Sequence, residues 1–288
     1  MELLRRLKLY SELLKLEHTI FALPFGLASL WMLYKEFPSF EKISFILLAL
    51  VSGRTLGMAF NRYIDKPFDE KNPRTRFWPH VSGLIKDWEL KLIILLSLAV
   101  FIFSCYKINK LAFYLSPVVV FFLWFYPFAK RITYFPHLIL GIIYFLIPIA
   151  IDIALNETIS LLAIILGIAM ASWVSGFDIL YSLQDYEFDK SVGLKSIPVK
   201  FGIKNSLRIA KLFHLITFFS LIIAGLLYYK TTWIYYTGIT LIAIFLTYEH
   251  SLIKENDLSK INKAFFTTNG FISIIFFLII VINNYFYG

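Results

Sequence analysis

Apolar runs of similar length recur along the whole chain, separated by short polar breaks. A helical crossing of a bilayer needs about 20 apolar residues, and runs of that order occupy 19–34, 43–64, 88–106, 110–128, 134–151, 159–180, 207–229, 232–249 and 264–285. This pattern predicts an all-α integral membrane protein, a bundle of about nine transmembrane helices. Pro24, Pro117 and Pro148 fall inside predicted spans. Proline is tolerated in lipid-embedded helices, where neighbours re-satisfy the freed backbone groups, so kinks are expected there and not breaks.

Composition strengthens that reading. Of 288 residues, 59% are hydrophobic and 16% charged, and the mean hydropathy is +0.72, far too apolar for an ordinary water-soluble domain. The net charge of +9 does not indicate nucleic acid, because the basic residues are scattered between apolar stretches and form no dense tract. They report topology instead. Lys and Arg number 20 in segments 1–18, 65–91, 129–133, 181–208 and 250–263, against 5 in the alternate loops, while Arg54, Arg62 and Lys211 lie within spans. Since cytoplasmic loops are enriched in Lys and Arg, this places the N-terminus and the two long loops, 65–91 and 181–208, in the cytoplasm. The opening residues carry charges of both signs and no small-residue cleavage site, so they read as an amphipathic approach to the first span and not as a signal peptide. Cys105 is the only cysteine, which excludes an internal disulfide and a cysteine metal site.

Candidate chemistry gathers at two places. Asn61, Asp65 and Asp69 recur every four residues at the end of the second span, a spacing that stacks them on one helical face. Pro67 lies between the aspartates and predicts unwinding there, with Asp69 left on the loop. Arg54, two turns before Asn61, points the same way. In the sixth span Asp178, Tyr181, Asp185 and Asp189 repeat the device on one predicted helical face, and Tyr181, Asp185 and Asp189 each stand 120 residues after Asn61, Asp65 and Asp69. Four spans separate the clusters, so they share a side of the membrane. The constant offset suggests two pseudo-repeated halves whose clusters meet across a cavity.

Paired carboxylates at a membrane boundary are costly and point to function. They suit Mg2+, which takes oxygen ligands, commonly one or two carboxylates completed by substrate phosphate oxygens and water. Arg74, Arg76, Lys130, Arg131 and Lys195, all in cytoplasmic segments, are candidate donors to the same anion. A diphosphate with an apolar tail fits such a site. The five histidines, His18, His80, His137, His214 and His250, show no mutual ligand spacing and read as interfacial or core residues.

These motifs resemble those of the UbiA superfamily of intramembrane prenyltransferases. The first signature is Asn61-Arg62-Tyr63-Ile64-Asp65-Lys66-Pro67-Phe68-Asp69, followed by Asn72-Pro73-Arg74-Thr75; the second is Tyr181-Ser182-Leu183-Gln184-Asp185-Tyr186-Glu187-Phe188-Asp189, followed by Gly193-Leu194-Lys195-Ser196. Segments 16–25 and 126–133 agree as well. The resemblance implies one nine-helix prenyltransferase domain over 1–288, multi-pass in the cell (inner) membrane, with its active site facing the cytoplasm. It also implies Mg2+-dependent transfer of a polyprenyl group from an allylic diphosphate to an acceptor that is usually aromatic, through an allylic cation. By position, Asn61, Asp65, Asp69, Asp185 and Asp189 would be metal ligands, the four aspartates being the catalytic set. Asn61, Arg74, Lys130, Arg131, Lys195 and Tyr181 would contact the diphosphate, and Arg54 the acceptor.

Phe60-Asn61-Arg62 and Asn72-Pro73-Arg74-Thr75 look most like a bacterial and archaeal branch of 4-hydroxybenzoate polyprenyltransferases, some of which prenylate a dihydroxynaphthoate on the way to menaquinone. The expected acceptor is therefore 4-hydroxybenzoate or 1,4-dihydroxy-6-naphthoate. One departure stands out: Trp78 occupies a position where the family usually has arginine, which predicts a weaker grip on the diphosphate there, with Arg76 as compensation. A related enzyme with haem or an isoprenoid glycerol phosphate as acceptor is the first alternative, and a secondary transporter is the second.

Overall fold

A computed structural model describes residues 2–15 and 19–287; His18, and with it part of the 16–25 segment, lies outside them. Among the described residues there are eleven α-helices: α1 (Glu2–Leu14), α2 (Thr19–Leu33), α3 (Phe40–Asp69), α4 (Asp87–Ile108), α5 (Lys110–Ile132), α6 (Pro136–Asn156), α7 (Leu161–Ser182), α8 (Tyr186–Ser191), α9 (Ile197–Leu227), α10 (Trp233–Leu252) and α11 (Asn269–Tyr287). A 3-10 turn, Leu183–Asp185, joins α7 to α8, and a π-helical turn, Lys263–Thr268, leads into α11. Among the described residues there is no strand, only an isolated bridge between Lys254 and Asp257.

Each predicted span overlaps a helix, but the spans are not equivalent. Seven stretches are long and apolar enough to cross a membrane: α3, α4, α5, α6, Leu161–Ser191, α9 and Lys263–Tyr287. The other two predicted spans correspond to α2, of 15 residues, and α10, whose sequence is diluted by tyrosine, threonine and the buried Glu249. The protein is thus a multi-pass, all-helical membrane protein. Its outward side chains agree: on α4, Trp88, Leu92, Leu95, Leu96, Phe103 and Tyr106 are all exposed, an apolar stripe whose solvent is lipid.

Local chemistry sets the helix ends. The hydroxyls of Ser39, Ser160 and Ser196 accept from the backbone N–H groups of Lys42, Ala163 and Val199, satisfying donors that have no partner in a first turn. Pro136 opens α6, where the missing N–H costs nothing. Gly202, at φ +76°, puts a non-helical residue inside α9, a conformation that glycine adopts without steric cost.

The chain divides into two compact units: residues 1–19 with 39–128, and residues 20–38 with 129–288. In the first, Leu13, Ala59, Ile85 and Leu90 form a buried cluster, to which α1 is tied by Arg6 and Tyr10, both bonded to the Glu89 carboxylate at 2.7 and 2.6 Å. In the second, Ile179, Leu180, Leu183, Ile197, Ala210 and Leu252 belong to one buried cluster around α7. Each unit carries one acidic motif.

Candidate active site

In the first unit the acidic motif closes a 30-residue helix. The expected unwinding at Pro67 does not occur: α3 continues through Asp69. Proline removes one helical hydrogen bond, the one to the Tyr63 carbonyl, but the turn beyond it is intact, with Glu70 N–H on Lys66 O at 3.0 Å and Asn72 N–H on Phe68 O at 3.1 Å. The Lys66 ammonium also holds Asp87 at 2.7 Å. Asp65 and Asp69 therefore stack on one face, as the four-residue spacing predicts, and both are buried. Asn61 Nδ2 donates to Asp65 Oδ2 at 2.9 Å. Asp69 Oδ2 lies 3.2 Å from Nε2 of the buried His80, a contact with no trace in the sequence pattern.

The segment after α3 is a run of tight turns. Thr75 Oγ1 donates to the Asp69 carbonyl at 2.9 Å, Arg74 N–H to Asn72 Oδ1 at 2.9 Å, and Trp78 N–H to Thr75 O at 2.9 Å. These turns deliver Trp78 beneath two guanidinium groups: Arg62 lies 3.9 Å from the indole centre and Arg74 5.4 Å. Trp78 is thus a stacking base for arginines on its own side of the motif, and not simply a missing cation. Arg76, the expected compensation, instead sits over the exposed Phe77 at 4.7 Å. Arg62, not among the expected site residues, is buried and donates through Nε to the Leu13 carbonyl at 3.1 Å; its position seven residues before Asp69 is the sequence signal that would have found it. Farther up α3, Arg54 Nε is buried with no hydrogen-bond partner among the described residues.

In the second unit the motif does not share one continuous helical face. α7 ends at Ser182, Asp185 closes the 3-10 turn, and Asp189 lies in α8. At the change of helix type, Ser182 Oγ donates to Ile179 O at 2.8 Å and Gln184 Nε2 to Tyr181 O at 2.9 Å. Side chains that bond nearby backbone in this way offer it an alternative to the α-helical ladder. Both aspartates are half-buried. Tyr181 stacks on Phe265 of the π-helical turn, centroids 4.0 Å apart, and meets Phe266 edge-on.

Three expected phosphate donors come together here. Leu194 N–H bonds the Asp189 carbonyl at 2.9 Å, and the next residue, Lys195, donates its N–H to the Lys130 carbonyl at 2.7 Å and its Nζ to Ile132 O at 3.1 Å. The second motif is thereby fastened to the last turn of α5, which carries Lys130 and Arg131. One turn before Tyr181, Asp178 Oδ2 lies 2.7 Å from His137 Nδ1. His214 and His250 also bond each other, at 2.9 Å. His80, His137 and His214 are buried, as core residues should be, but their partners are tertiary.

The donor set suits Mg2+. Among the described residues no three His, Cys, Asp or Glu side chains gather into a self-sufficient metal cage, and each motif offers a pair of carboxylates with an amide or phenol beside them. Such a pair leaves coordination positions for water and phosphate oxygens, which is how Mg2+ is commonly held.

Comparison with known proteins agrees with these motifs. Residues 22–275 match the model of the UbiA prenyltransferase family. A 4-hydroxybenzoate octaprenyltransferase of Francisella tularensis is 32% identical over 283 residues, covering 96% of this chain and 98% of that protein. One from Pasteurella multocida is 29% identical, covering 93% and 92%. Among solved structures, the apo form of a UbiA homolog from Aeropyrum pernix matches with a TM-score of 0.82 at 30% identity, over 92% of this chain and 98% of that one. A UbiA homolog from Archaeoglobus fulgidus, solved with DMAPP and Mg2+, shares the fold with a TM-score of 0.73 at 20% identity, over 96% of this chain and 99% of that one.

Proposed function

This chain belongs to the UbiA prenyltransferase family, and from that premise we propose that it transfers a polyprenyl group from an allylic diphosphate to a phenolic aromatic acid in quinone biosynthesis. The acceptor is 4-hydroxybenzoate or a 1,4-dihydroxy-6-naphthoate-type acid. The observation that carries the reading is the stack of Asn61 with the buried Asp65 and Asp69 at the end of a long apolar helix. Burying two carboxylates so close together is expensive unless cations and hydrogen bonds compensate them.

Asp65 and Asp69, with Asn61, and Asp185 and Asp189 of the second motif would hold Mg2+, which when bound would supply positive charge to stabilise the diphosphate as a leaving group. Around that anion this chain supplies fixed donors. Arg74, oriented over Trp78, and Lys130, Arg131 and Lys195, gathered at the end of α5, bind diphosphate oxygens, and Tyr181 donates its hydroxyl to them. Arg54 takes the acceptor's carboxylate: its buried Nε lacks a hydrogen-bond partner among the described residues, and a planar guanidinium matches a carboxylate. The relatives named for 4-hydroxybenzoate support that acceptor. We read all nine predicted spans as crossing the inner membrane, with the N-terminus and both motifs on the cytoplasmic side, as the Lys and Arg count predicts, and the whole chain as one catalytic domain.

The test is the mass of the lipid-soluble product that the membrane-embedded protein forms from a polyprenyl diphosphate with a mixture of 4-hydroxybenzoate and 1,4-dihydroxy-6-naphthoate. One prenylated aromatic acid is expected, and only with Mg2+ present. Product formed without Mg2+, or on neither acid, would overturn the proposal.

A further inference from the structure

The His137–Asp178 pair lies outside the residues assigned above. His137 is in the first turn of α6, four residues after Thr133, while Asp178 is in the last two turns of α7, three residues before Tyr181. Both belong to the second unit, at the end where Lys130, Arg131, Lys195 and the second motif gather. The imidazole is held from two sides. Its Nδ1 is 2.7 Å from Asp178 Oδ2, and its backbone carbonyl accepts a hydrogen bond from Ser175 Oγ at 3.0 Å. One turn further along α6 the two helices pass closely, since a Cβ added at Gly141 would run into Ser175 Oγ.

The proton inventory of this pair is informative. The carboxylate is an acceptor, so Nδ1 carries the hydrogen, and a neutral imidazole then presents a lone pair at Nε2. Nε2 is buried and has no hydrogen-bond partner among the described residues. The His137 side chain is only 4% exposed, but that of Asp178 keeps 18%, so the pair borders accessible space. A buried acceptor without a donor costs free energy comparable to a lost hydrogen bond, and the pair would be satisfied by a ligand that brings a hydroxyl. An imidazole oriented by a carboxylate, with its far nitrogen left without a donor among the described residues, is the arrangement of a general base.

We propose that the His137–Asp178 pair is the base that activates the acceptor's phenolic hydroxyl, an inference that rests on the phenolic acceptor proposed above. The phenolic proton moves to Nε2, and the developing phenolate makes the ring carbon beside it nucleophilic. That carbon bonds to the allylic carbon, whose carbon–oxygen bond to the diphosphate breaks, the electron pair leaving with the diphosphate. The hydrogen on the attacked ring carbon is then lost as a proton to water, its electron pair restoring aromaticity, and the proton on Nε2 returns to the oxygen. One proton is released per turnover.

The alternative is that the pair merely clamps α6 to α7, and the acidity of the acceptor separates the two. Full-length wild type, His137→Gln and Asp178→Asn are assayed in bilayers with 4-hydroxybenzoate and with 3-fluoro-4-hydroxybenzoate, whose more acidic hydroxyl needs less help and which keeps one open position beside it. The expected result is a loss of about 10²-fold in kcat for each variant on 4-hydroxybenzoate, shrinking to less than about 10-fold on the fluorinated acid, with the KM for prenyl diphosphate unchanged. Equal losses on the two acceptors, or no loss on either, overturn the base and leave a clamp. If His137→Gln does not fold, Asp178→Asn decides by the same ratio, because it leaves the imidazole in place. Wild type that prenylates neither acid overturns the phenolic acceptor itself, and the base with it; wild-type turnover with acceptor-independent variants overturns the base alone.

Discussion

The two acidic motifs have the same spacing and different backbones. Asn61, Asp65 and Asp69 ride on an unbroken α-helix, and both aspartates are buried, whereas Tyr181, Asp185 and Asp189 are spread over an α-helix end, a 3-10 turn and a short helix, and both aspartates are half-buried. The first is braced by His80 on Asp69 and by the turns that carry Trp78. The second is fastened through backbone bonds to the end of α5 and through the Tyr181 stack on Phe265. What the spacing preserves is the order of side-chain types, an uncharged group followed by two carboxylates four residues apart. How rigidly each set is held is decided by neighbours.

If both motifs are indispensable despite that difference, Asp65→Ala and Asp185→Ala should each lower transfer by at least about 10³-fold, or roughly 4 kcal/mol of transition-state stabilisation, while the protein still inserts. A variant of either motif that keeps a tenth of wild-type rate would break the symmetry. The next largest effect should separate the motifs. His80 orients Asp69 from behind, and loss of such a partner typically weakens metal binding 10- to 100-fold, so His80→Gln should move the Mg2+ half-saturation point upward by about that factor. A Mg2+ titration that overlays on wild type would show that Asp69 is held without it.

Trp78 tests the bracing from the other side. Removal of a partly desolvated cation–π contact costs about 1–2 kcal/mol, so Trp78→Ala should raise the KM for prenyl diphosphate about 5- to 30-fold, with Trp78→Phe recovering most of it. An unchanged KM in the alanine variant would mean that Arg74 needs no platform. In the second motif, Phe265→Leu removes the face beneath Tyr181. Aromatic pairs contribute about 0.5–1.5 kcal/mol beyond area burial, so a rise of about 2- to 10-fold in the same KM is expected, and no rise would detach Tyr181 from diphosphate binding.

Much of this comparison was legible in the sequence, for a physical reason. Helical spacing and apolar length are local properties, so the nine predicted spans overlap observed helices, and the four-residue recurrence of Asn61, Asp65 and Asp69 placed those side chains on one face of α3. What was misread depends on competition or on tertiary partners. Pro67 looked like a break because its lost hydrogen bond is visible locally, whereas the intact turn after it is not. Asp185 looked α-helical because the four-residue spacing is unchanged where the backbone tightens into a 3-10 turn. Trp78 looked like a deficit since only the absent arginine shows in a motif, and the guanidinium of Arg62 reaches it through the fold. The His137–Asp178 pair spans 41 positions, and His80 reaches Asp69 across 11 positions that leave the helix for a run of turns, so helical spacing announces neither. The count of spans was weakest at α2 and α10, where shortness or interior polar residues dilute the apolar signal.

The smallest effect should come from the residue that the sequence made most prominent. Pro67 sits between the ligands of the first motif yet leaves α3 continuous. Restoring an N–H at this position with Pro67→Ala would give the Tyr63 carbonyl its helical donor, a gain offset in part by the greater freedom of the unfolded chain. Because Asp65 and Asp69 already occupy one helical face, the substitution should leave kcat and the Mg2+ half-saturation point within about twofold of wild type, since the ligand geometry does not change. A loss of tenfold or more would mean that turnover requires the last turn of α3 to open. The first motif would then work in a broken form resembling the second, and the contrast between them would describe only the ligand-free protein.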